Sequence, residues 1–182
     1  MSTISLIIPT RRVADLDACI ASYQNQYDEL IVVDEEHPNL AHKINAGIGR
    51  ARSEYVVVTN DDALLEKGDI HDLCTTTVVS PHIVGGQIKV FHAHCWACPV
   101  NLFWQVGGMC EEYDGHYYDD SDFWMRCLTH GYTPALEPKV MIRHDHPATT
   151  IRTMPSEDRE RNNRLLFVEK WGLEGLRTTG CL

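Results

Sequence analysis

The sequence contains no long apolar run and no excess of basic charge. None of its apolar stretches approaches the roughly 20 residues that a membrane-spanning helix needs. Its 26 acidic residues outnumber its 16 basic residues, which gives a formal net charge of −10. A surface of that sign offers no electrostatic footprint for nucleic acid or for an anionic membrane. An anionic ligand would need a local pocket or a bound cation.

Two common nucleotide-binding motifs and a secretion signal are also missing. The sequence has neither G-x-G-x-x-G after its first strand nor G-x-x-x-x-G-K-[ST], which argues against dinucleotide-binding and P-loop proteins. The opening MSTISLIIPTRR has no basic stretch ahead of its apolar residues, so it does not resemble a signal peptide. Seven cysteines without such a signal predict free thiols in a reducing cytoplasm.

The first sixty residues alternate between strand and helix patterns. Continuous apolar strands are predicted at 5–8, 30–33 and 55–59, with helices at 13–24 and 40–52 between them. Strands that are apolar on both faces and are joined through helices are typical of a parallel sheet covered on both sides. Ligands of such sheets bind beyond the carboxyl ends of the strands. The length of 182 residues suits one domain.

The rest of the chain has a less regular pattern. Helices are predicted at 68–78 and 119–130, and a third begins at Pro155-Ser156. The other predicted elements are a strand at 82–91 with a glycine bulge, a short helix in CPVNLFWQVGG that ends at its Gly-Gly pair, and extended pieces in TPALEP and KVMIRH.

Polar side chains follow each of the first three predicted strands. Thr10-Arg11 follows the first strand, Asp34 the second and Asn60-Asp61-Asp62 the third, so all of them are expected on one rim of the sheet. The adjacent carboxylates of Asp61 and Asp62 repel each other and need solvent, a basic partner or a metal ion. A divalent cation, which prefers hard oxygen ligands, is one such partner.

A second acidic group opens the predicted helix at 119–130. Asp120 lies on the side of the apolar stripe that begins at Phe123, whereas Asp119 and Asp122 fall on another face and Asp122 can pair with Arg126. The pattern predicts that Asp120 points inward, where partial desolvation would raise its pKa and make it a better proton acceptor. The alternative is that these acids only complement the helix N-terminus. Together, a cation site and a separate base can transfer a group from an activated nucleotide.

The motifs of this sequence and their order along the chain resemble those of the GT-A-fold glycosyltransferases of family 2. The resemblance runs in order over nearly the whole chain, in SLIIPTRR, IVVDEEH, HKINAGIGRARSEYVVVTNDDA, WQVGGMCEEY, YYDDSDFWMRCLTHGY and NNRLLFVEKWG. It implies an α/β fold, a GT-A (Rossmann-like) three-layer sandwich with a mostly parallel central sheet. It also implies a single domain over 1–182, with a nucleotide-binding half at 1–65, an acceptor and catalytic half at 82–150, and a helical tail at 151–182.

The resemblance further implies the substrates and the roles of individual residues. The enzyme would move a sugar from a nucleotide-sugar donor, foremost a UDP-sugar, to an acceptor hydroxyl. The residues implied to contact the nucleotide sugar are Pro9, Thr10, Arg11, Asp34, Lys43 and Asn45. Asp62, with Asp61 and His144, would bind Mn²⁺ or Mg²⁺, and His146 is the alternative histidine. Asp120 would be the catalytic base of an inverting displacement, and Asp119 stands in the place of the family's usual Glu.

The sequence departs from the family at two motifs, and other functions stay open. Asn60 replaces the first carboxylate of the D-x-D motif, and Asp34-Glu35-Glu36 replaces the common Asp-Asp-x-Ser. One alternative is a non-catalytic nucleotide-sugar-binding or scaffolding protein, and another is a retaining mechanism. A nucleotidyltransferase would need a glycine-rich loop after the first strand, which PTRRVAD lacks. A homo-oligomer is compatible with the sequence.

The segment FHAHCWAC gathers residue types that bind zinc. His92, His94, Cys95 and Cys98 lie within seven positions, but a second Cys/His pair at the usual spacing is missing. Ordinary packing is therefore the expectation for these four side chains. Trp96 is expected either to line a sugar pocket or to belong to the core.

Overall fold

The computed structural model describes residues 2–10, 16–37, 39–86, 91–115, 117–144 and 156–181. The elements within these ranges are β1 (Ile4–Pro9), α1 (Leu16–Ser22), β2 (Glu29–Val33), α2 (Leu40–Ile48), β3 (Tyr55–Thr59), β4 (Ala63–Lys67), a 3₁₀ helix (Ile70–Leu73), β5 (Val79–Ile83), β6 (Cys95–Pro99), α3 (Val100–Gln105), α4 (Asp119–Thr129), β7 (Ala135–His144) and α5 (Ser156–Thr179). Helix α5 kinks at Gly172, which has φ 67°.

The strands form one seven-stranded sheet in the order β2-β1-β3-β6-β5-β7-β4. Strand β1 pairs parallel with β2 and β3, and β5 pairs parallel with β7. The β3–β6, β5–β6 and β4–β7 pairs are antiparallel. The α/β class is confirmed, but half of the pairs are parallel rather than most of them. Strand β6 follows β5 after a segment too short for the helical crossover that a parallel neighbour needs.

Helices cover both faces of the sheet, which confirms the three layers. On one face α2, α3 and α4 bury a core that includes Ile44, Phe103 and Phe123. On the other face α1 and the 3₁₀ helix bury side chains such as Tyr23 and Leu73 against the strands. Continuous apolar strands and one-sided helices are the sequence pattern that such layers require. Helix α5 packs against α4 in a third, smaller cluster.

The predicted elements agree with the structure best where the apolar pattern is long. The first three strands and the helix at 119–130 are confirmed, and TPALEP and KVMIRH form the single strand β7. The helix predicted at 68–78 is wrong, since only the 3₁₀ turn forms before the β-branched run at 75–79, which favours extended structure. The strand predicted at 82–91 is displaced: β5 ends at Ile83, and 87–90 lie outside the described residues.

All seven cysteines are free thiols, as the sequence predicts. Among the residues that the structure describes, no helix combines the length and the apolar character that crossing a membrane requires.

Candidate active site

The register of β3 and β6 brings two chain segments together at the carboxyl end of β3. These strands are antiparallel, and Thr59 at the end of β3 lies opposite Cys95 at the start of β6. The backbone N–H of Asn60 donates to the carbonyl oxygen of His94 over 2.9 Å. His94 therefore lies beside the segment that carries the aspartate pair.

The register of β4 and β7 brings a third segment to the same place. Ala63, the first residue of β4, lies opposite His144, the last residue of β7. Asp62 immediately precedes Ala63, and its Oδ1 lies 3.0 Å from Nε2 of His144. The side chains of Asp62 and His144 are 14% and 10% exposed, so this pair is largely withdrawn from water.

The two adjacent aspartates have different partners. Whereas Asp62 contacts His144, Oδ2 of Asp61 accepts a hydrogen bond from Oγ1 of Thr10 over 2.5 Å. Each carboxylate is thus stabilised on its own side, which explains how a buried strand can end in two like charges. The predicted metal ligands Asp62 and His144 are brought together, and Asp61 joins β3 to the end of β1.

Helix α2 contributes a buried lysine to the same edge of the sheet. Lys43 is 4% exposed, and its Nζ donates to the carbonyl oxygen of Thr10 over 2.8 Å. Pro9 is the last residue of β1, and the N–H of Thr10 donates to the carbonyl of Val33 at the end of β2. Thr10 therefore connects α2, β2 and, through Asp61, β3. An ammonium and two carboxylates lie around one strand edge.

The ring of His94 stacks on the ring of His144. The ring centroids are 4.0 Å apart and the planes are inclined by 28°. The side-chain amide of Asn60 lies 3.3 Å from Nδ1 of His94. These contacts form a continuous path from Asn60 through both imidazoles to Asp62. Ordinary packing is the sequence-based expectation for His94, and only the registers of the β3–β6 and β4–β7 pairs bring its ring to His144.

The structure places only some of the other residues that were predicted to contact the nucleotide at the rim of the sheet. Asp34 is exposed after β2, in keeping with a place on the rim. Arg11 and the alternative histidine His146 lie outside the described residues. Asn45 is placed elsewhere than predicted: it donates to the carbonyl of Met109 and accepts from the N–H of the same residue, each within 2.9 Å. Its amide is engaged in holding the turn after α3.

Trp96 belongs to the core rather than to a sugar pocket. Its side chain has no exposed surface, and it packs against the rings of Phe91, Phe103 and Phe123 at centroid distances of 6.3, 6.1 and 5.3 Å. A sugar ring would need an accessible indole face, which this position lacks.

The acid pair at the start of α4 is oriented opposite to the prediction. Asp119 is 5% exposed and Asp122 is 1% exposed, whereas Asp120 is partly exposed. The buried face of α4 follows Phe123 and Cys127, and Asp119 lies one turn before Phe123 on that face. The prediction placed the stripe one residue further along.

Burial changes the proton affinity of Asp119. Desolvation, together with the neighbouring charge of Asp120, raises the pKa of Asp119 to about 7. Its Oδ2 is buried and makes no hydrogen bond to any of the described residues. Asp120 accepts a hydrogen bond from the N–H of Ser121 over 2.7 Å. The pair thus combines an accessible carboxylate with a buried carboxyl that titrates near neutrality.

Asp122 is held in a network of hydrogen bonds, one of which the i,i+4 spacing to Arg126 predicts. Its Oδ2 accepts from Nε of Arg126 over 2.7 Å, which confirms the predicted i,i+4 pair. Its Oδ1 accepts from the hydroxyl of Tyr113 over 3.2 Å and from the indole N–H of Trp171 over 2.8 Å. Tyr113 lies outside the helix, nine positions from Asp122, and Trp171 lies 49 positions away, so helical spacing signals neither contact.

Cys95, Cys98 and His92 of FHAHCWAC pack as ordinary side chains. Cys95 and Cys98 are completely buried, and burial raises the pKa of Cys95 to about 12 and that of Cys98 well above its usual value. His92 donates from Nε2 to the carbonyl of Pro81 over 2.7 Å. Within the described ranges, no three His, Cys, Asp or Glu side chains are grouped so as to hold a metal ion.

Asp62 and His144 nevertheless fit a cation that takes only two ligands from the protein. Two ligands at right angles on an octahedral ion with bonds of about 2.1 Å lie about 3.0 Å apart, and Oδ1 and Nε2 are 3.0 Å apart. Mg²⁺-type sites complete their coordination with water and with phosphate oxygens of a substrate. A two-residue site therefore agrees with the lack of a larger ligand group in the described part of the chain.

Solved glycosyltransferases have a fold similar to that of this chain. The catalytic domain of Drosophila β1,4-galactosyltransferase 7 in complex with xylobiose is 18% identical, with a TM-score of 0.68 over 90% of this chain and 80% of that chain. A mutant of that enzyme in complex with manganese, UDP-Gal and xylobiose is 17% identical, with a TM-score of 0.66 over the same shares. A mannosyltransferase from Pyrobaculum calidifontis, in complex with GDP-Man and Mn²⁺, is 16% identical, with a TM-score of 0.60 over 99% of this chain and 73% of that chain.

The likeness lies in the fold and not in the overall sequence. No protein-family model matches the chain, and no curated protein matches it. The single mixed sheet with helices on both faces agrees with the fold that the sequence motifs imply. This chain has the GT-A fold of glycosyltransferases.

Proposed function

We propose that this protein is a glycosyltransferase that moves a sugar from a nucleotide-diphosphate sugar to an acceptor hydroxyl, assisted by Mn²⁺ or Mg²⁺. The observation that carries the proposal is the 3.0 Å contact between Asp62 and His144 at the carboxyl end of β3. Open α/β sheets bind their ligands at that edge. The solved neighbours support the assignment, because two of them hold manganese together with UDP-Gal or GDP-Man.

The donor side of the site is assigned to the ends of the first three strands. Pro9, Thr10, Arg11 and Asp34 border the nucleotide, and the segment 1–65 is the nucleotide-binding half. Lys43 holds the backbone of Thr10 in place and leaves a positive charge near the strand edge. Asp62 and His144 would hold the divalent cation, which would supply positive charge to the leaving diphosphate.

The acceptor side is assigned to the acid pair of α4, within the half that spans 82–150. Asp120 is the base, because its carboxylate is partly exposed and can reach an acceptor hydroxyl. Asp120 takes the proton of the acceptor hydroxyl while the hydroxyl oxygen attacks the anomeric carbon from the side opposite the diphosphate. The bond between the anomeric carbon and the diphosphate breaks in the same step. A single displacement of this kind inverts the configuration. Asp119, whose pKa lies at about 7, keeps a second carboxyl beside the base in partly neutral form.

Thermal shift with nucleotides tests the donor assignment. UDP, GDP, UDP-Gal and GDP-Man are added separately to the protein, with and without Mn²⁺. Ligands that bind only the folded state raise the Tm, so at least one nucleotide is expected to raise it in a manner that depends on Mn²⁺. Asp62→Ala should lose this dependence, whereas the control Asp72→Ala, at an exposed aspartate of the 3₁₀ helix, should keep it. An unchanged response in Asp62→Ala would contradict the cation site.

A further inference from the structure

We propose that His94 is a positioning residue whose ring holds the imidazole of His144 in the orientation that directs Nε2 toward Asp62. Asn60 in turn holds the ring of His94. This inference deepens the proposed function and rests on it, because it assumes that Asp62 and His144 bind a divalent cation.

The first observation is the stack of the two imidazoles. The ring centroids of His94 and His144 are 4.0 Å apart, with planes inclined by 28°. Nε2, on the edge of the His144 ring, lies 3.0 Å from Oδ1 of Asp62, and the His144 side chain is only 10% exposed. A ring in contact along its face cannot rotate freely about its side-chain bonds. The stack therefore restricts the direction in which Nε2 of His144 points.

The second observation is the attachment of His94 to Asn60. The backbone of His94 accepts the N–H of Asn60 over 2.9 Å, and the amide of Asn60 lies 3.3 Å from Nδ1 of the His94 ring. An asparagine amide carries both a donor and an acceptor, so it can bond Nδ1 in either tautomer of the histidine. A carboxylate at position 60 could only accept, and it would add a third negative charge beside Asp61 and Asp62. Asn60, the residue that departs from the D-x-D motif, can therefore bond His94 without adding negative charge.

The arrangement favours support over direct coordination. Nδ1 of His94 is engaged by Asn60, and the described residues contain no group of three His, Cys, Asp or Glu side chains that could hold a metal ion. Residues that orient a metal-binding histidine without touching the ion affect affinity strongly, and their loss weakens metal binding about 10–100-fold. A stacked ring is expected to act in the same way.

The test separates the ring of His94 from its nitrogens. His94→Ala removes both, and His94→Phe keeps an aromatic ring that can stack. Mn²⁺ is titrated into each variant, with and without UDP, and unbound Mn²⁺ is followed by electron paramagnetic resonance. His94→Ala is expected to weaken Mn²⁺ binding about 10–100-fold, and His94→Phe to stay within about threefold of the parent. Asn60→Ala should weaken binding in the same direction, by less.

His130→Ala is the matched control. It changes an exposed histidine just after α4 and should bind Mn²⁺ as the parent does. If His94→Phe binds as weakly as His94→Ala, the nitrogens are required and the positioning role is overturned in favour of a ligand role. If His94→Ala binds like the parent while Asp62→Ala does not, the positioning role alone is overturned. If the parent binds no Mn²⁺ in either condition, the proposed cation site is overturned together with this inference.

Discussion

The indole N–H of Trp171 donates to Oδ1 of Asp122 over 2.8 Å and so joins α5 to the helix that carries the acid pair. The same carboxylate receives the hydroxyl of Tyr113 and the guanidinium of Arg126. Asp122 is 1% exposed, so these bonds replace the water that its charge would otherwise require. One buried carboxylate thereby holds the first turns of α4, the segment before it and α5 in a fixed arrangement.

Replacing Asp122 by Ala should destabilise the fold. Removing one partner of a buried ion pair leaves an uncompensated charge, here on Arg126, and we expect the free energy of unfolding to fall by about 3 kcal/mol. Urea denaturation measures the change. The control is Asp114→Ala, because Asp114 is 61% exposed and its pair with Arg159 is a surface pair worth less than about 1 kcal/mol. Equal losses in the two variants would contradict the structural role of Asp122.

Two consecutive tyrosines before α4 adopt left-handed backbone angles. Tyr117 has φ 73° and Tyr118 has φ 69°, a conformation that costs a residue with a side chain about 1–2 kcal/mol. The surroundings hold this backbone: the amide of Asn163 donates to the carbonyl of Tyr117 over 3.2 Å, and the ring of Tyr118 packs on Phe167 at 5.5 Å. Tyr117 as a whole is 40% exposed. Strain is thus retained immediately before the acid pair.

Glycine should be tolerated better at position 117 than at position 118. Tyr117→Gly and Tyr118→Gly relieve similar strain, but Tyr118 is 9% exposed and packs on Phe167, whereas Tyr117 is 40% exposed. Because less buried surface is lost at position 117, the free energy of unfolding of Tyr117→Gly should exceed that of Tyr118→Gly by about 1–2 kcal/mol. Urea denaturation of both variants gives the comparison. An equal or larger loss of stability in Tyr117→Gly would show that the contacts of its ring outweigh the difference in exposure.

The sequence predicts the fold well where apolar residues form long continuous patterns. The strands at 55–59 and 30–33 and the helix at 119–130 depend on such patterns, and the structure confirms them. It predicts β4 and β6 poorly, because the first is short and half exposed and the second begins in a segment rich in histidine and cysteine. Which neighbour each later strand pairs with depends on long-range contacts, so the antiparallel half of the sheet had no local signal.

The candidate site is partly predictable for the same reason. Carboxyl ends of neighbouring strands share an edge, which is why Thr10 and Asp61 could be placed together from the sequence. The inward face of α4 was assigned to Asp120, one residue too far along, because Asp119 and not Asp120 lies one turn before Phe123 on the buried face. The stack of His94 on His144 joins residues fifty positions apart, and only the registers of two strand pairs reveal it.

The raised pKa of Asp119 predicts a specific dependence of stability on pH. Burial, together with the charges of Asp120 and Asp122, raises its pKa from 3.8 to about 7 in the folded state. Between these values the folded protein binds more protons at this position than the unfolded chain, so Asp119 lowers stability as pH rises from about 4 to about 7. Above pH 7 both states are ionised there and this dependence ends.

Asp119→Asn removes that titration, so the quantity to measure is the difference in Tm between the variant and the parent at each pH. The Tm of Asp119→Asn minus that of the parent should increase from pH 4 to pH 7 and level off above it. Asp69→Asn is a suitable control, because hydrogen bonds to His71 lower the pKa of Asp69 and its difference should change in the opposite sense, at lower pH. A difference for Asp119→Asn that is constant across this range would contradict the raised pKa.

The assignment of Asp120 as base predicts a loss of transfer without a loss of donor binding. Asp120→Asn keeps the size and polarity of the side chain but cannot accept the proton of an acceptor hydroxyl, so the rate constant for transfer should fall about 10²–10⁴-fold. Its Mn²⁺-dependent thermal shift with the nucleotide should remain, because Asp120 lies on α4 and not at the strand edge that carries Asp62 and His144. Asp62→Ala, in contrast, should lose the Mn²⁺-dependent thermal shift with the nucleotide, and it should lose transfer as a consequence. Full transfer activity in Asp120→Asn would show that Asp120 is not the base. Asp119, the other carboxyl of the pair, would then be the next residue to replace.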